Sequence, residues 1–367
     1  MSVFISIILF LVVLFVLILV HEWGHYFAAK RTGMRVDEFG IGFPPKLFGI
    51  KRGETEYVIN ALPIGGYVKI FGEDAASTIG EGDGSRAFSA RPQWAQAIVL
   101  IAGVVMNTVF AWFLFVVMLV VGISGAIDES MYSPDTSKLI VTGVLPGLPA
   151  DGLIPTNAVI TSVETAGEKL LPITPSAFSD LMAKNENQPI TIRYTSNNEQ
   201  MTADVTPLTN VLPESPDRPA IGVSLVLVDT IQYSFGGALI EATMQTWSSL
   251  KAITLGLGGL FGGIFSGTAD FSQVTGPIGI VGYVGDAASN GFTSLLYFTA
   301  IISLNLAVIN LLPIPALDGG RLVFVAIEAV IRKPIHPVWA SRVNIAGFAA
   351  LMLLMLVVTV NDVLRLW

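Results

Sequence analysis

The sequence predicts a multi-span α-helical membrane protein: four core transmembrane helices, a membrane-associated β-hairpin and an inserted α+β domain. Three observations lead there. First, 52% of the 367 residues are hydrophobic and only 13% are charged. Soluble domains carry about twice that share of charge, so this chain lacks the polar surface to cover itself in water. Second, residues 2–20, 95–121, 292–317 and 343–360 carry no charge. A helix needs ~20 such residues to cross the hydrocarbon core, and the last run is slightly short but adequate. Third, between 126 and 229 the composition turns ordinary, with Pro, Asn, Thr and short β-rich runs. With no cysteine, a disulfide framework, thiolate metal ligands and a cysteine nucleophile are excluded. The net charge of −8 argues against a nucleic-acid partner.

Taken in order, residues 1–30 form the first span. A secretory signal would have a basic start and a small-residue cleavage site; instead His21-Glu22 stands where cleavage would fall. Residues 31–94 hold the hairpin region and 95–122 the second span. Residues 126–229 form the inserted domain, with strands over 139–144, 158–163, 189–194 and 201–205 and a helix over 176–183. Residues 292–320 make the third span, 321–342 a cytoplasmic loop and 343–362 the fourth span.

Basic residues orient these spans. Nine Lys and Arg lie between spans one and two, and four more follow span three at Arg321, Arg332, Lys333 and Arg342. The far longer stretch 122–292 holds only six. The first two regions are therefore expected in the cytoplasm, and the inserted domain outside the cell membrane. Residues 230–291 include an apolar, glycine-rich segment, 236–267, interrupted by Glu241 and Lys251. A single crossing there would invert span three. An amphipathic helix at the outer surface, or a re-entrant hairpin, preserves the orientation.

His21-Glu22-Trp23-Gly24-His25 fits the H-E-x-x-H pattern. On a helix its two histidines stand about 40° apart around the axis, so both imidazoles reach one ion. Glu22 points beside them. Zinc lowers the pKa of a bound water to about 7, and a neighbouring carboxylate can take its proton and pass it on. Two of the chain's three histidines belong to this pattern, at the end of a membrane span where ionisable groups are costly. A catalytic zinc takes three protein ligands. His336 is one candidate for the third, between prolines in a basic loop. Asp318 is better placed, three residues before Arg321 at a depth like that of His25. It follows Asn310-Leu311-Leu312-Pro313-Ile314-Pro315-Ala316-Leu317, a stretch whose prolines break a helix where broken backbone must line a polar cavity.

HEWGH at the end of span one, with N-x-x-P-x-P-x-LDGG over 310–320, resembles the site-2 protease family, in its bacterial branch. These are intramembrane zinc metalloproteases. The resemblance implies Zn²⁺ held by His21, His25 and Asp318, with Glu22 as the general base and acid. It places Asn305 and Asn310 near the substrate. The segment 56–73, containing Gly65-Gly66-Tyr67-Val68-Lys69, is similar to the family's β-hairpin beside the active site. Gly66, Tyr67 and Val68 would there pair with an unwound substrate, replacing the backbone bonds its helix gives up. Ala102-Gly103-Val104-Val105-Met106-Asn107 resembles a further family motif, in which Val104 replaces the usual proline. The run 144–153, with Pro146-Gly147 and Asp151-Gly152, resembles the start of a bacterial PDZ domain, which would take a peptide carboxyl terminus or act as a size filter.

The implied activity is cleavage of transmembrane protein substrates within the bilayer, as in regulated intramembrane proteolysis of anti-sigma factors or signal-peptide remnants. Two other classes compete. A membrane metal sensor or transporter would use the same ligands without hydrolysis and leave Glu22 without a role. A catalytically inactive scaffold for the PDZ domain would hold no zinc.

Overall fold

The structure is a computed structural model that describes residues 2–73, 84–165, 168–196, 199–209, 218–268 and 275–365. The chain divides into two units, Met1–Val121 with Ser234–Trp367, and Gly122–Tyr233.

The first unit is built on helices long and apolar enough to cross a membrane. These are α1 (Val3–Arg31), α2 (Gln93–Val121), α6 (Phe292–Leu311) and α8 (Pro337–Arg365). At 29 residues, α1 extends ~44 Å. Their outward faces stay apolar: Leu353 and Leu356 of α8 are 62% and 60% exposed. Water would oppose that surface and lipid would not. α2 packs against α1 and against α6, which places it centrally. α2 runs unbroken through Val104, where the motif it resembles would have proline.

α6 stops at Leu311, earlier than a span running to 320 would. Pro313 and Pro315 cannot donate the backbone bonds that would continue it. Ala316 adopts a left-handed conformation (φ 78°), and the chain turns into α7 (Asp318–Ile331). Asp318 therefore opens a helix rather than ending one, and much of the predicted loop 321–342 is helical. The turn is tight enough to need both glycines of the LDGG sequence. A Cβ on Gly319 would lie 2.2 Å from the Leu312 carbonyl oxygen, and one on Gly320 2.2 Å from that of Ile314.

Residues between α1 and α2 form the antiparallel pair β1 (Val36–Arg52) and β2 (Thr55–Ile70), a longer element than the hairpin expected over 56–73. Its register shifts repeatedly. Residues 46–52 pair with 55–60, whereas 38–41 pair both with 56–59 and with 66–69, and Val36 pairs with Ile70. Among the described residues, 66–70 is thus partnered on one side only and forms an edge. Met34, Val36, Ile70, Phe88, Ala95, Val99 and Val325 pack in one cluster, tying this sheet to α2 and α7.

The awkward stretch 236–267 is a continuous helix, α4 (Phe235–Ser266), packed against α2 and α6; Trp112 Nε1 donates to Thr243 Oγ1 at 3.0 Å. A shorter helix, α5 (Pro277–Ser289), follows. The buried Asp362 of α8 accepts from the backbone amides of Gly276 and Gly279 at 3.0 and 2.9 Å. A carboxylate from a distant helix thus caps the N-terminus of α5.

The second unit is an α+β domain. Its strands are β3 (Ile123–Ala126), β4 (Lys138–Val144), β5 (Val159–Thr165), β6 (Glu168–Lys169), β7 (Ile190–Ser196), β8 (Glu199–Val205) and β9 (Val223–Ile231). They lie in the order β3-β9-β4-β5-β7-β8, with β6 paired to β5. Helix α3 (Pro175–Lys184) is capped by Thr174, whose side chain accepts from Ala177 N. Phe178, Leu181 and Met182 of α3 pack on Leu139, Val141, Ile160, Ile190 and Ile192 of the sheet. The four strands and the helix expected from sequence fall within a residue or two of these bounds. β3 and β9 were not expected there, because neither alternates clearly between apolar and polar residues.

Candidate metal centre

His21 and His25 project from one face of α1, one turn apart, and both are buried. α2 approaches them closely because both helices carry a glycine at the crossing. A Cβ on Gly24 would meet the Ala102 carbonyl oxygen at 2.4 Å. One on Gly103 would meet His25 Nε2 at 2.5 Å and His21 Cε1 at 2.6 Å. The space that Gly103 leaves is the space the two rings fill.

Asp318 arrives from the turn after α6. Its Oδ2 lies 3.1 Å from His21 Nε2 and 3.2 Å from His25 Nε2, while the two Nε2 atoms are 3.1 Å apart. Three ligand atoms thus form a nearly equilateral triangle. Ligands about 2.0–2.1 Å from a tetrahedral zinc stand ~3.3 Å from one another, so this triangle fits one face of such a site. Two imidazole Nε2 atoms and a carboxylate oxygen converging on one point need a positive charge among them, a proton or a metal ion. Among the described residues this is the group of His and acidic side chains able to hold a metal ion. His336 lies outside it, at the start of α8, where its Nδ1 accepts from Val338 N at 3.4 Å.

The ring orientations are set from behind. His25 Nδ1 lies 2.8 Å from the Val99 carbonyl oxygen, so it donates there and leaves Nε2 free to ligate. Asn107 Nδ2 lies 3.4 Å from His21 Nδ1.

Glu22 follows His21 on α1 and lies against the β-sheet. A Cβ on Gly66 would lie 3.6 Å from Glu22 Cγ and 3.8 Å from Ile18 Cγ2, so the edge strand passes directly beside this carboxylate. Tyr67 donates through its hydroxyl to Glu38, and Val68 packs beneath the sheet against the α1–α2 cluster. Asn310 Nδ2 is 3.4 Å from His21 Nε2. Asn305 instead donates to the Ile301 carbonyl of its own helix at 2.9 Å, which leaves Asn310 as the amide that reaches the triangle.

Charged contacts pin the surroundings. Arg321, one turn beyond Asp318, pairs with Glu73 at 2.6 Å. Glu54, in the tight turn between β1 and β2, accepts from Lys30 at 2.6 Å and from Arg86 at 2.7 Å. The bonds from Arg86 and Lys30 hold its carboxyl down to about 2, so this clasp stays ionised at any physiological pH.

Sequence reasoning quoted Gly103 and Asn107 only within a motif, with Gly103 read as a close-packing residue, and did not single out the Val99 carbonyl or the Glu73–Arg321 pair. The quoted stretch 102–107 held the signal: a glycine and an asparagine one turn apart in an otherwise apolar helix.

Comparison with known proteins places this geometry in context. The model of peptidase family M50 matches residues 9–354. A protein of Clostridium perfringens named as a zinc metalloprotease is 34% identical over 355 residues, covering 95% of each chain. A Synechocystis protein named likewise is 33% identical over 356 residues, 96% of this chain and 93% of that one. The zinc metalloprotease RasP of Shouchella clausii is 29% identical over 440 residues, 98% of each chain. Among solved structures, the PDZ domain of an SdrC-like protein from Listeria monocytogenes covers 24% of this chain and 85% of its own, at 19% identity and a TM-score of 0.21.

Proposed function

The chain belongs to peptidase family M50, and from that premise we propose how its residues carry out zinc-dependent hydrolysis of peptide bonds within the membrane. The single observation that carries the reading is the triangle of His21, His25 and Asp318, with Glu22 alongside. A zinc ion held by those three ligands supplies Lewis acidity and lowers the pKa of water to about 7. Glu22 accepts a proton from the attacking water as its oxygen bonds to the scissile carbonyl carbon. The carbon–nitrogen bond then breaks, and Glu22 returns the proton to the departing amine nitrogen. Asn310, whose Nδ2 lies 3.4 Å from His21 Nε2, donates to the carbonyl oxygen as negative charge develops on it.

The edge strand 66–70 supplies the substrate dock. A peptide bond within a transmembrane helix is shielded by its own hydrogen bonds. Pairing with Gly66, Tyr67 and Val68 replaces those bonds and holds the segment extended beside Glu22.

Two features support a site near the cytoplasmic face of the cell membrane, with the 122–233 domain outside. One is the concentration of Lys and Arg in 30–91 and 321–342. The other is parity: Asp318 meets both histidines, so 122–291 crosses the bilayer an even number of times or not at all. In this arrangement the outer domain is a PDZ module that engages an exposed carboxyl terminus or excludes bulky substrates. The substrates are membrane proteins cleaved within a transmembrane segment.

The test is cleavage of a helical membrane substrate by the purified protein in detergent or proteoliposomes. Glu22→Gln keeps its bound zinc and loses activity by at least ~10³-fold. Undiminished cleavage by that variant would reject the assigned chemistry. A sensor or transporter would conduct or respond to metal regardless of Glu22.

A further inference from the structure

Both imidazoles must present Nε2 to the ion, which requires a proton on each Nδ1 and an acceptor for it. His25 has the Val99 carbonyl. The polar group at His21 Nδ1 is the side chain of Asn107, at 3.4 Å. Asn107 is fully buried on α2, and its Oδ1 has no hydrogen-bond partner among the described residues. A buried carboxamide oxygen without a partner is destabilising, so its presence needs a reason.

The two ends of a carboxamide are nearly the same size, and a half-turn about its terminal bond exchanges them. With Nδ2 toward the ring, Asn107 suits a metal-free His21 that keeps its proton on Nε2 and donates to Asp318. With Oδ1 toward the ring, it suits a His21 that donates from Nδ1 and frees Nε2 for zinc.

We infer that Asn107 is a positioning residue for the metal centre: its Oδ1 accepts from His21 Nδ1 and fixes the zinc-binding tautomer. Three residues of α2 at four-residue spacing then serve the two rings. Val99 orients His25, Gly103 leaves room for both, and Asn107 orients His21. Asn107 is itself fixed to α6, because the buried Ser303 hydroxyl donates to the Asn107 carbonyl oxygen at 2.8 Å. This inference rests on the zinc assignment above. Wild-type protein that binds no zinc would overturn that assignment, whereas the comparisons below address Asn107 alone.

The test measures zinc affinity of the purified full chain by chelator competition, beside thermal unfolding of the metal-free protein. Asn107→Leu and Asn107→Ala remove the acceptor with and without filling its volume. Each should bind zinc ~10- to 100-fold more weakly. Asn107→Asp restores an acceptor and should bind within a few-fold of wild type. Ser303→Ala disturbs the α2–α6 contact but spares the carboxamide, and should also bind near wild type. Wild-type affinity in the leucine and alanine variants would overturn the inference, as would equal losses in all four variants. Imidazole ¹⁵N resonances of the zinc-loaded wild type give an answer that needs no variant to fold. With three histidines in the chain they can be assigned. His21 Nδ1 should be protonated and hydrogen-bonded; an unprotonated Nδ1 would overturn the proposal.

Discussion

Gly103 shows how much of the metal centre depends on an absent side chain. A methyl group there would sit 2.5 Å from His25 Nε2, closer than van der Waals contact permits. The rings lie at the ends of rotatable side chains, so they can swing aside without unfolding the helices. Gly103→Ala should therefore leave thermal stability of the metal-free protein nearly unchanged and weaken zinc binding at least ~10-fold, or about 1.4 kcal/mol. Chelator competition checks this directly. At this scale the sequence was legible wherever a helical period joins chemical types. His21, Glu22 and His25 follow from i, i+4 spacing, and Asp318 from its depth beside Arg321. Gly103 and Asn107 were less legible for a physical reason. A glycine or asparagine in an apolar helix equally serves close packing or interhelical hydrogen bonding, and the difference lies in what the neighbouring helix presents.

Among the elements, the turn after α6 and the edge of β2 do most to define the site. Pro313 and Pro315 release the chain from α6, so that Asp318 begins α7 with its carboxylate directed at α1. Hydropathy treats 292–317 as one run because leucine, isoleucine and proline are all uncharged; the prolines marked the break, but nothing marked the helix that begins at Asp318. Helix α4 was easier to recognise as a helix than to locate, since Glu241 and Lys251 interrupt its apolar character without breaking its backbone. The edge strand carries its own prediction. Gly66→Val would place its branched side chain against the Gly40 carbonyl oxygen, 3.1 Å from the new Cβ, and toward Glu22. Cleavage kcat/KM should fall ~10-fold or more while zinc stoichiometry stays at wild-type level. A variant that cleaves normally would remove 66–68 from the substrate dock.

For the whole molecule, the candidate metal centre draws on distant parts of the chain: two proposed ligands within the first 25 residues and one 297 positions beyond His21. α2 lies between their elements, contacting α1, α6 and α7. The Gly122–Tyr233 unit has its own buried core, so the site does not need that unit for its ligands. The overall plan was readable in the sequence because bilayer thickness and charge bias act on long averages that single residues do not upset. How the early and late segments meet was less readable, because composition alone left open whether 236–267 crosses the bilayer. That meeting is tested most directly by zinc K-edge X-ray absorption of the purified wild-type protein beside Asp318→Ala. The wild type should hold one zinc per chain with two imidazoles and a carboxylate oxygen at about 2.0–2.1 Å, and the variant should lose that oxygen shell and most of its zinc. An unchanged spectrum and full zinc occupancy without Asp318 would contradict a centre built from α1 and the start of α7.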